Sequence, residues 1–413
     1  MLRLSPEEQD MLAGGRGAAA ADALELMLGF AQAVGADRLL RCDRAHIDGC
    51  LYHGQASLDF VERYVALGGR VCVPTSLNVG SVDLIHPDLF RGDPALGTAG
   101  KRLMQAHVEL GCAPNFTCAP YQTLMRPRYG EQLAYAESNA IVFVNSVIGA
   151  RTARYGDFID LAGALCGRVP HFDLHVAENR LARTRLVLEG VSGADVEEAG
   201  LIAVAAGLFI GRECGAEICA IEGLPQVTSE DDLKALGAAA ASSGAVAMFH
   251  AVGLTPEAET LAAATGGAEV SVIARLDREM LGQIVASLAT VSDGARLSAV
   301  ALGTPHFSLQ EFERLLQLCE GSFAVPVYIN TGRDILTELT QRGWDKRLSD
   351  AGVALVVDTC TYVTTIIEEL DGAIMTNSGK WAYYAPGNLG VDVAFGTLAD
   401  CVASAKAGRV VRR

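Results

Sequence analysis

The chain has 413 residues, half of them apolar, and a net charge of −16 from 33 Lys+Arg against 49 Asp+Glu. That length exceeds one simple core and predicts two or three subdomains, while the apolar share excludes a disordered chain. The acidic balance opposes nonspecific binding to nucleic acid or anionic lipid, although single arginines can still hold small anions.

From the N-terminus, Ser5-Pro6-Glu7-Glu8 reads as an N-cap, a proline at the first helical position and an acidic first turn. No apolar leader with a cleavage site follows, so a cytoplasmic protein with no membrane segment and eleven mostly reduced cysteines is expected. Residues 19–34 and 58–67 have helical periodicity. Between them, His46-Ile47-Asp48-Gly49-Cys50 opens a cluster of polar and thiol side chains that ends at His53. Residues 69–73 read as a strand running into Pro74-Thr75-Ser76-Leu77-Asn78.

Residues 111–157 are the densest stretch. Cys112 and Cys118 lie in a Gly/Pro-punctuated loop, and Glu137-Ser138-Asn139 and Asn145-Ser146 flank the apolar run 140–144, which reads as a buried strand. Arg151 and Arg154 follow, planar donors suited to a carboxylate or phosphate. Further on, β-rich runs at 245–249, 297–302, 325–329, 353–357 and 373–375 each end in a small polar loop. Ser308 to Glu311 is a capping box, and Thr255-Pro256-Glu257 reads as a helix start. Strand, polar loop, helix, repeated, predicts parallel α/β units with ligands bound beyond the carboxyl ends of the strands. Boundaries are expected near 190 and 268, giving regions 1–190, 191–268 and 269–413. Cys72, Cys166, Cys319 and Cys401 read as core fillers, and Cys214 and Cys219 as structural.

There is no GxxxxGK[ST], no GxGxxG after a strand, no G-x-S-x-G elbow, no H-E-x-x-H and no CxxC. Separated cysteines at strand ends, Cys118 and Cys360 with Cys50 or Cys112, suit an iron–sulfur cluster better than zinc.

The blocks HIDGCLYHG, VPTSLNVGSVD, TCAPYQ, AESNAIVFVNSVIGARTARYGD, FHAVGLTPEA, LGTPHFS, VDTCTY and TNSGKWAYYAPG run in order through almost the whole chain. Together they resemble the large, catalytic component of the aconitase X family. The resemblance implies an aconitase-like α/β fold, with several parallel or mixed subdomains around a cluster-containing cleft, and a hydro-lyase activity. It implies a swivelling small domain as well, expected here as a separate subunit. Bacterial members are similar to cis-3-hydroxy-L-proline dehydratases and archaeal members to mevalonate 5-phosphate dehydratases. Ala153 stands where the family pattern has Asn, and Thr304 where the archaeal type has a cysteine. Cys118 and Cys360 match family thiolate positions; Cys50 is the expected third ligand, which favours a 2Fe–2S centre and the hydroxyproline branch.

On that reading His46, Ser76 and Glu137 are the candidate catalytic residues. Thr75, Asn78, Ser138, Asn139, Asn145, Ser146, Arg151, Arg154 and Lys380 are the candidate binding residues for a small hydroxy acid. Dehydration of another hydroxy acid, or a non-catalytic iron–sulfur scaffold or sensor, are the alternatives.

Overall fold

The computed structural model describes residues 2–122 and 125–412. The chain divides into two compact units, Met1–Val82 with Asp93–Leu181 and Asp83–Gly92 with Ala182–Arg413.

In the first unit the opening helix Pro6–Leu12 starts as its sequence dictates. Ser5 Oγ accepts from Glu8 N–H at 3.3 Å, and Ser5 N–H donates to the Glu8 carboxylate at 2.8 Å. Buried Arg168 donates to Glu8 at 2.8 Å and to Glu7 at 2.7 Å, tying this helix to the strand Arg168–Pro170. A three-stranded parallel sheet carries the site residues, with Arg44–Ile47 between Thr75–Leu77 and Leu133–Tyr135. Its register sets His46 opposite Ser76 and Tyr135.

Two expected strands of this first unit are corrected by the structure. Residues 69–73 are irregular, and the strand begins at Thr75. Gly68 turns the chain out of the preceding helix, and it is Pro74 whose carbonyl first accepts from the neighbouring strand, at Ala45 N–H, 3.0 Å. Residues 140–144 are helical. An α-helix Ser138–Phe143 runs straight into a π-helix Val144–Ile148, which Gly149 ends in the left-handed region. A continuous apolar run fits a buried helix as well as a buried strand. Glu137 decides between them, because its carboxylate accepts from Ala140 N–H at 2.5 Å and caps the helix.

The second unit holds two parallel sheets. One has the order Phe249–Ala251, Cys219–Glu222, Thr184–Leu188, Ser271–Leu276. The other runs Val353–Val356, Val327–Thr331, Leu297–Phe307, Ala373–Thr376, Val393–Phe395. The Ser308 capping box is present, opening Leu309–Leu318. Thr255 does not open a helix. Its hydroxyl donates to Ala251 O at 3.2 Å and accepts from Ala251 N–H at 3.0 Å, closing a turn, and the next helix, Leu261–Thr265, is capped by Thr260. The strand before it is Phe249–Ala251 rather than 245–249. Of the cysteines expected in the core, Cys166, Cys319 and Cys401 are buried but Cys72 is exposed. Among the described residues no helix is long and apolar enough to cross a membrane.

Gly303 is where the central strand Leu297–Phe307 passes closest to its neighbour Val327–Thr331, at Asn330. Its φ is 79°, and a Cβ there would lie 2.1 Å from Asn330 O. Gly303→Ala should therefore lower the unfolding free energy by about 3 kcal/mol. Gly294→Ala, at φ 83° but with open space around it, should cost only about 1–2 kcal/mol. Urea midpoints at unchanged slope measure both, and equal losses would show that backbone strain rather than collision sets the cost.

Candidate active site

In the first unit the parallel register delivers the candidate catalytic pair. His46 Nδ1 is 2.8 Å from Ser76 Oγ, and the ring, fully buried, tilts against Tyr135 at 5.3 Å between centroids. Burial lowers the His46 pKa to about 4, against an opposing pull from the Glu137 carboxylate. The ring is neutral at pH 7, with Nδ1 engaged by Ser76 and Nε2 without a protein partner. His46, Ser76 and Glu137 thus share one neighbourhood, although Glu137 also caps a helix.

The remaining first-unit candidates fall into two groups. Asn139 and Asn145 have their amides occupied. Asn139 Nδ2 donates to Cys118 O at 2.9 Å and its Oδ1 accepts from Tyr121 O–H at 3.3 Å, so it holds the Cys118 loop. Asn145 Nδ2 donates to Thr152 O at 2.9 Å, and its Oδ1 accepts from Thr152 N–H and from Arg180, each at 3.1 Å. Arg180, fully buried, also donates to the carbonyls of Asn145 (2.9 Å) and Leu174 (3.1 Å). Ser146 lies buried inside the π turn, a feature that often marks functional sites, while Ser138 is half-buried at the helix start.

The second group keeps bonding capacity. Buried polar atoms are normally satisfied. Yet Asn78 Oδ1 and Arg151 Nε join His46 Nε2 as buried atoms without a hydrogen-bond partner. Asn78 donates to Asp48, and Arg151 Nη1 reaches His175 O only at 3.5 Å. Arg154 is exposed, and its backbone N–H donates to Asp173. Thr75 Oγ1 turns back to Val73 O at 2.9 Å.

Cys118 is buried on its loop. Cys50 is buried too, with Sγ 3.6 Å from Ile47 O, and lies beside Cys112, Asp160, Asp48 and Asp157. Burial first, then these neighbours, push its thiol pKa well up, a setting that favours the protonated thiol.

In the second unit Asn330 gathers the strand ends. Its Nδ2 donates to Leu302 O (3.0 Å), Thr304 Oγ1 (3.2 Å) and Thr361 Oγ1 (3.2 Å), and its Oδ1 accepts from Thr361 N–H at 3.0 Å. Ser378 Oγ donates to Thr304 O, and Trp381 Nε1 to Thr361 Oγ1 at 3.1 Å. The result sets His306 beside Cys360, both buried, with ligand atoms within 4.8 Å of each other. A thiol and an imidazole are donor types that iron accepts. His306 Nε2 also lies 3.3 Å from Thr359 O. Beneath it, buried Lys234 donates to His306 O at 3.3 Å and pairs with Asp231 at 2.9 Å and Glu311 at 2.5 Å. Lys380 is buried in the helix that Ser378 caps.

Sequence reasoning did not single out Asn330, His306, Lys234, Arg180 or His175 as site residues. His175 is buried and neutral, its pKa lowered to about 3 mainly by burial; its Nε2 lies 2.6 Å from Tyr155 Oη. For His306 and Asn330 a signal existed, since the sequence placed both in polar loops just after strands at 297–302 and 325–329; the strands in fact extend to Phe307 and Thr331 and include them. Arg180 and His175 have no local pattern that marks them.

Family models for the aconitase X first, second and third domains match residues 1–178, 186–286 and 297–407. The fold is that of a solved aconitase X from Thermococcus kodakaraensis, described as a holo-form. Its TM-score is 0.86 at 28% identity, over 98% of this chain and 100% of that one. A cis-3-hydroxy-L-proline dehydratase from Pseudomonas aeruginosa is 41% identical over 98% of this chain and 70% of its own length. One from Hypocrea jecorina is 38% identical over 98% and 68%. The phosphomevalonate dehydratase large subunit of Methanosarcina mazei is 31% identical over 98% of both chains. The chain belongs to the aconitase X family.

The buried histidine gives a pH prediction. A folded pKa of about 4 against about 6.5 when unfolded means the unfolded state binds the proton first as pH falls. Stability contributed by neutral His46 is intact above about pH 6.5 and is lost progressively down to about pH 4. Between pH 7 and 4.5, His46→Asn should show a fall in unfolding free energy smaller than wild type by about 2 kcal/mol. An identical fall in both would mean that His46 takes up its proton in the folded protein.

Proposed function

We propose that this chain is the catalytic large component of an iron–sulfur-dependent hydro-lyase that converts cis-3-hydroxy-L-proline to Δ1-pyrroline-2-carboxylate. The observation that carries the reading is the 41% identity, along nearly the whole chain, to a protein named for that dehydration. A second reading, mevalonate 5-phosphate dehydration, is favoured by one fact: the relatives named as large subunits match over almost their full length. Their lower identity, 31% and 32%, places it second. A separate swivelling small subunit is proposed as the partner. The large-subunit names of those relatives support it, as does the part of the Pseudomonas protein that lies outside its match. The net charge of −16 tells against a DNA-contacting sensor. The reading places the enzyme in the cytoplasm.

Cys118, Cys360 and Cys50 are proposed to hold a cluster of the 2Fe–2S type. In support, the Thr304 hydroxyl, at the position of the archaeal cysteine, is engaged by Asn330. Such a cluster with an open iron supplies Lewis-acid stabilisation for a departing hydroxide. The chain's own residues supply the rest. Arg151 and Arg154 bind the substrate carboxylate, with Asn78, Thr75, Ser138 and Ser146 as further polar contacts and Lys380 as a second-unit cation. Asn139 and Asn145 hold the loops that carry Cys118 and Thr152. Dehydration removes a proton from C2 and hydroxide from C3, which together make one water. The C2 base is assigned to the small subunit. His46 Nε2, neutral and buried, with Ser76 at its Nδ1 and Glu137 nearby, is the group that takes up or hands on a proton in this chain. The enamine formed then tautomerises to the imine product.

The test is anaerobic expression with and without the small subunit, followed by iron, sulfide and product assays. The chain alone should bind iron and turn over poorly, and the pair should dehydrate cis-3-hydroxy-L-proline. Cys118→Ser and Cys360→Ser should lose iron and activity together. Full turnover by the isolated chain contradicts the two-component reading, and a full cluster in Cys50→Ala removes Cys50 from the ligand set.

A further inference from the structure

Away from every residue used above, two thiols meet at one end of the four-stranded sheet. Cys214 is the last residue of the helix Val196–Cys214, and Cys219 is the first residue of the strand Cys219–Glu222. The turn between them is tight: Gly215 has φ 61°, and Glu217 N–H donates to Cys214 O at 3.0 Å. In the parallel register Cys219 lies opposite Thr184, whose hydroxyl is 3.8 Å from Cys214 Sγ, so both cysteines adjoin the same residue. Cys219 S–H donates to Ala220 O at 3.6 Å, and the two sulfurs are close enough to influence each other's ionisation. Residues 215–217 of the turn are exposed, which brings solvent to the rim of the pair. A helix and a strand joined by so short a turn, with both cysteines beside Thr184, bring two thiols into the neighbourhood where a disulfide can close.

We propose that Cys214 and Cys219 are a redox modification site that closes a reversible disulfide on exposure to hydrogen peroxide. Cys214 is the sulfur that reacts first. It is 7% exposed and adjoins the exposed turn, whereas Cys219 is only 1% exposed, so peroxide reaches Cys214 first. The Cys214 thiolate attacks a peroxide oxygen, the O–O bond breaks, and sulfenic acid and hydroxide form. Cys219 sulfur then attacks Cys214 sulfur. The S–S bond forms, the S–O bond breaks, and the oxygen leaves as a second hydroxide. The two thiol protons convert both hydroxides to water, so two thiols and one peroxide give one disulfide and two waters. The two electrons lost by sulfur reduce the peroxide. A dithiol reductant reverses the oxidation.

The pair can be read directly, because Arg212 and Lys234 bracket a tryptic peptide, residues 213–234, that holds these two cysteines and no other. Full-length holoprotein is treated with graded hydrogen peroxide, alkylated, digested and weighed. This peptide should become two hydrogens lighter and resist alkylation at peroxide doses about tenfold below those that modify the buried Cys401. Dithiothreitol before alkylation should restore both sites. A peptide that stays fully alkylated, or that gains oxygen without losing hydrogens, overturns the proposal. The single variants fix the order without relying on the disulfide. Cys219→Ser should leave a sulfenic acid on Cys214 that a cyclic diketone traps, and Cys214→Ser should leave Cys219 unmodified. Trapping at Cys219 instead overturns the assignment of the attacking thiol.

Discussion

One buried carboxamide orders the candidate site in the second unit. Asn330 lies near the carboxyl end of a strand flanked on both sides by parallel neighbours, where loops diverge and backbone groups lose their ladder partners. Its two amide hydrogens, one of them shared, reach Leu302 O and Thr304 on one neighbouring strand and Thr361 in the loop after the other, and its oxygen accepts from Thr361 N–H. The strand end bearing His306 and the loop bearing Cys360 are drawn together as a consequence. Each buried group left unpaired would cost about 1–3 kcal/mol, so the arrangement is strongly specified. Gly303 makes this approach possible, since no side chain fits against Asn330 O.

The first unit solves the same problem with different parts. Asn139 fastens the Cys118 loop, and Asn145 with Arg180 fastens the loop after the π-helix. These residues position the site. His46, Asn78 and Arg151 differ from them in keeping a buried atom without a partner. Satisfied amides and unsatisfied atoms thus lie on neighbouring elements, and the unsatisfied atoms are the ones that keep bonding capacity.

Much of this was legible in the sequence, for identifiable reasons. Parallel α/β units followed from β-rich runs ending in polar loops, and the Ser5 and Ser308 capping boxes are local chemistry that tertiary context left intact. The pairing of His46 with Ser76 was not readable, because it depends on the register of strands 30 residues apart. The run 140–144 misled because full burial erases the periodicity that separates helix from strand. Arg180 and His175 escaped notice because their partners lie on segments that only the fold brings near. Cys214 and Cys219 read as structural from spacing alone, and their mutual contact emerged only with the turn that joins them.

The central claim is that the chain's kinship to hydroxyproline dehydratases outweighs its kinship to phosphomevalonate dehydratases in setting its chemistry. Measuring kcat/KM of the anaerobically reconstituted two-component enzyme on cis-3-hydroxy-L-proline and on mevalonate 5-phosphate, under one set of conditions, tests it most directly. The account predicts a preference for the hydroxyproline of at least about a hundredfold, since a site built for one ligand's polar groups rejects the other when buried partners go unpaired. Equal values, or a preference for the phosphate ester, would contradict it.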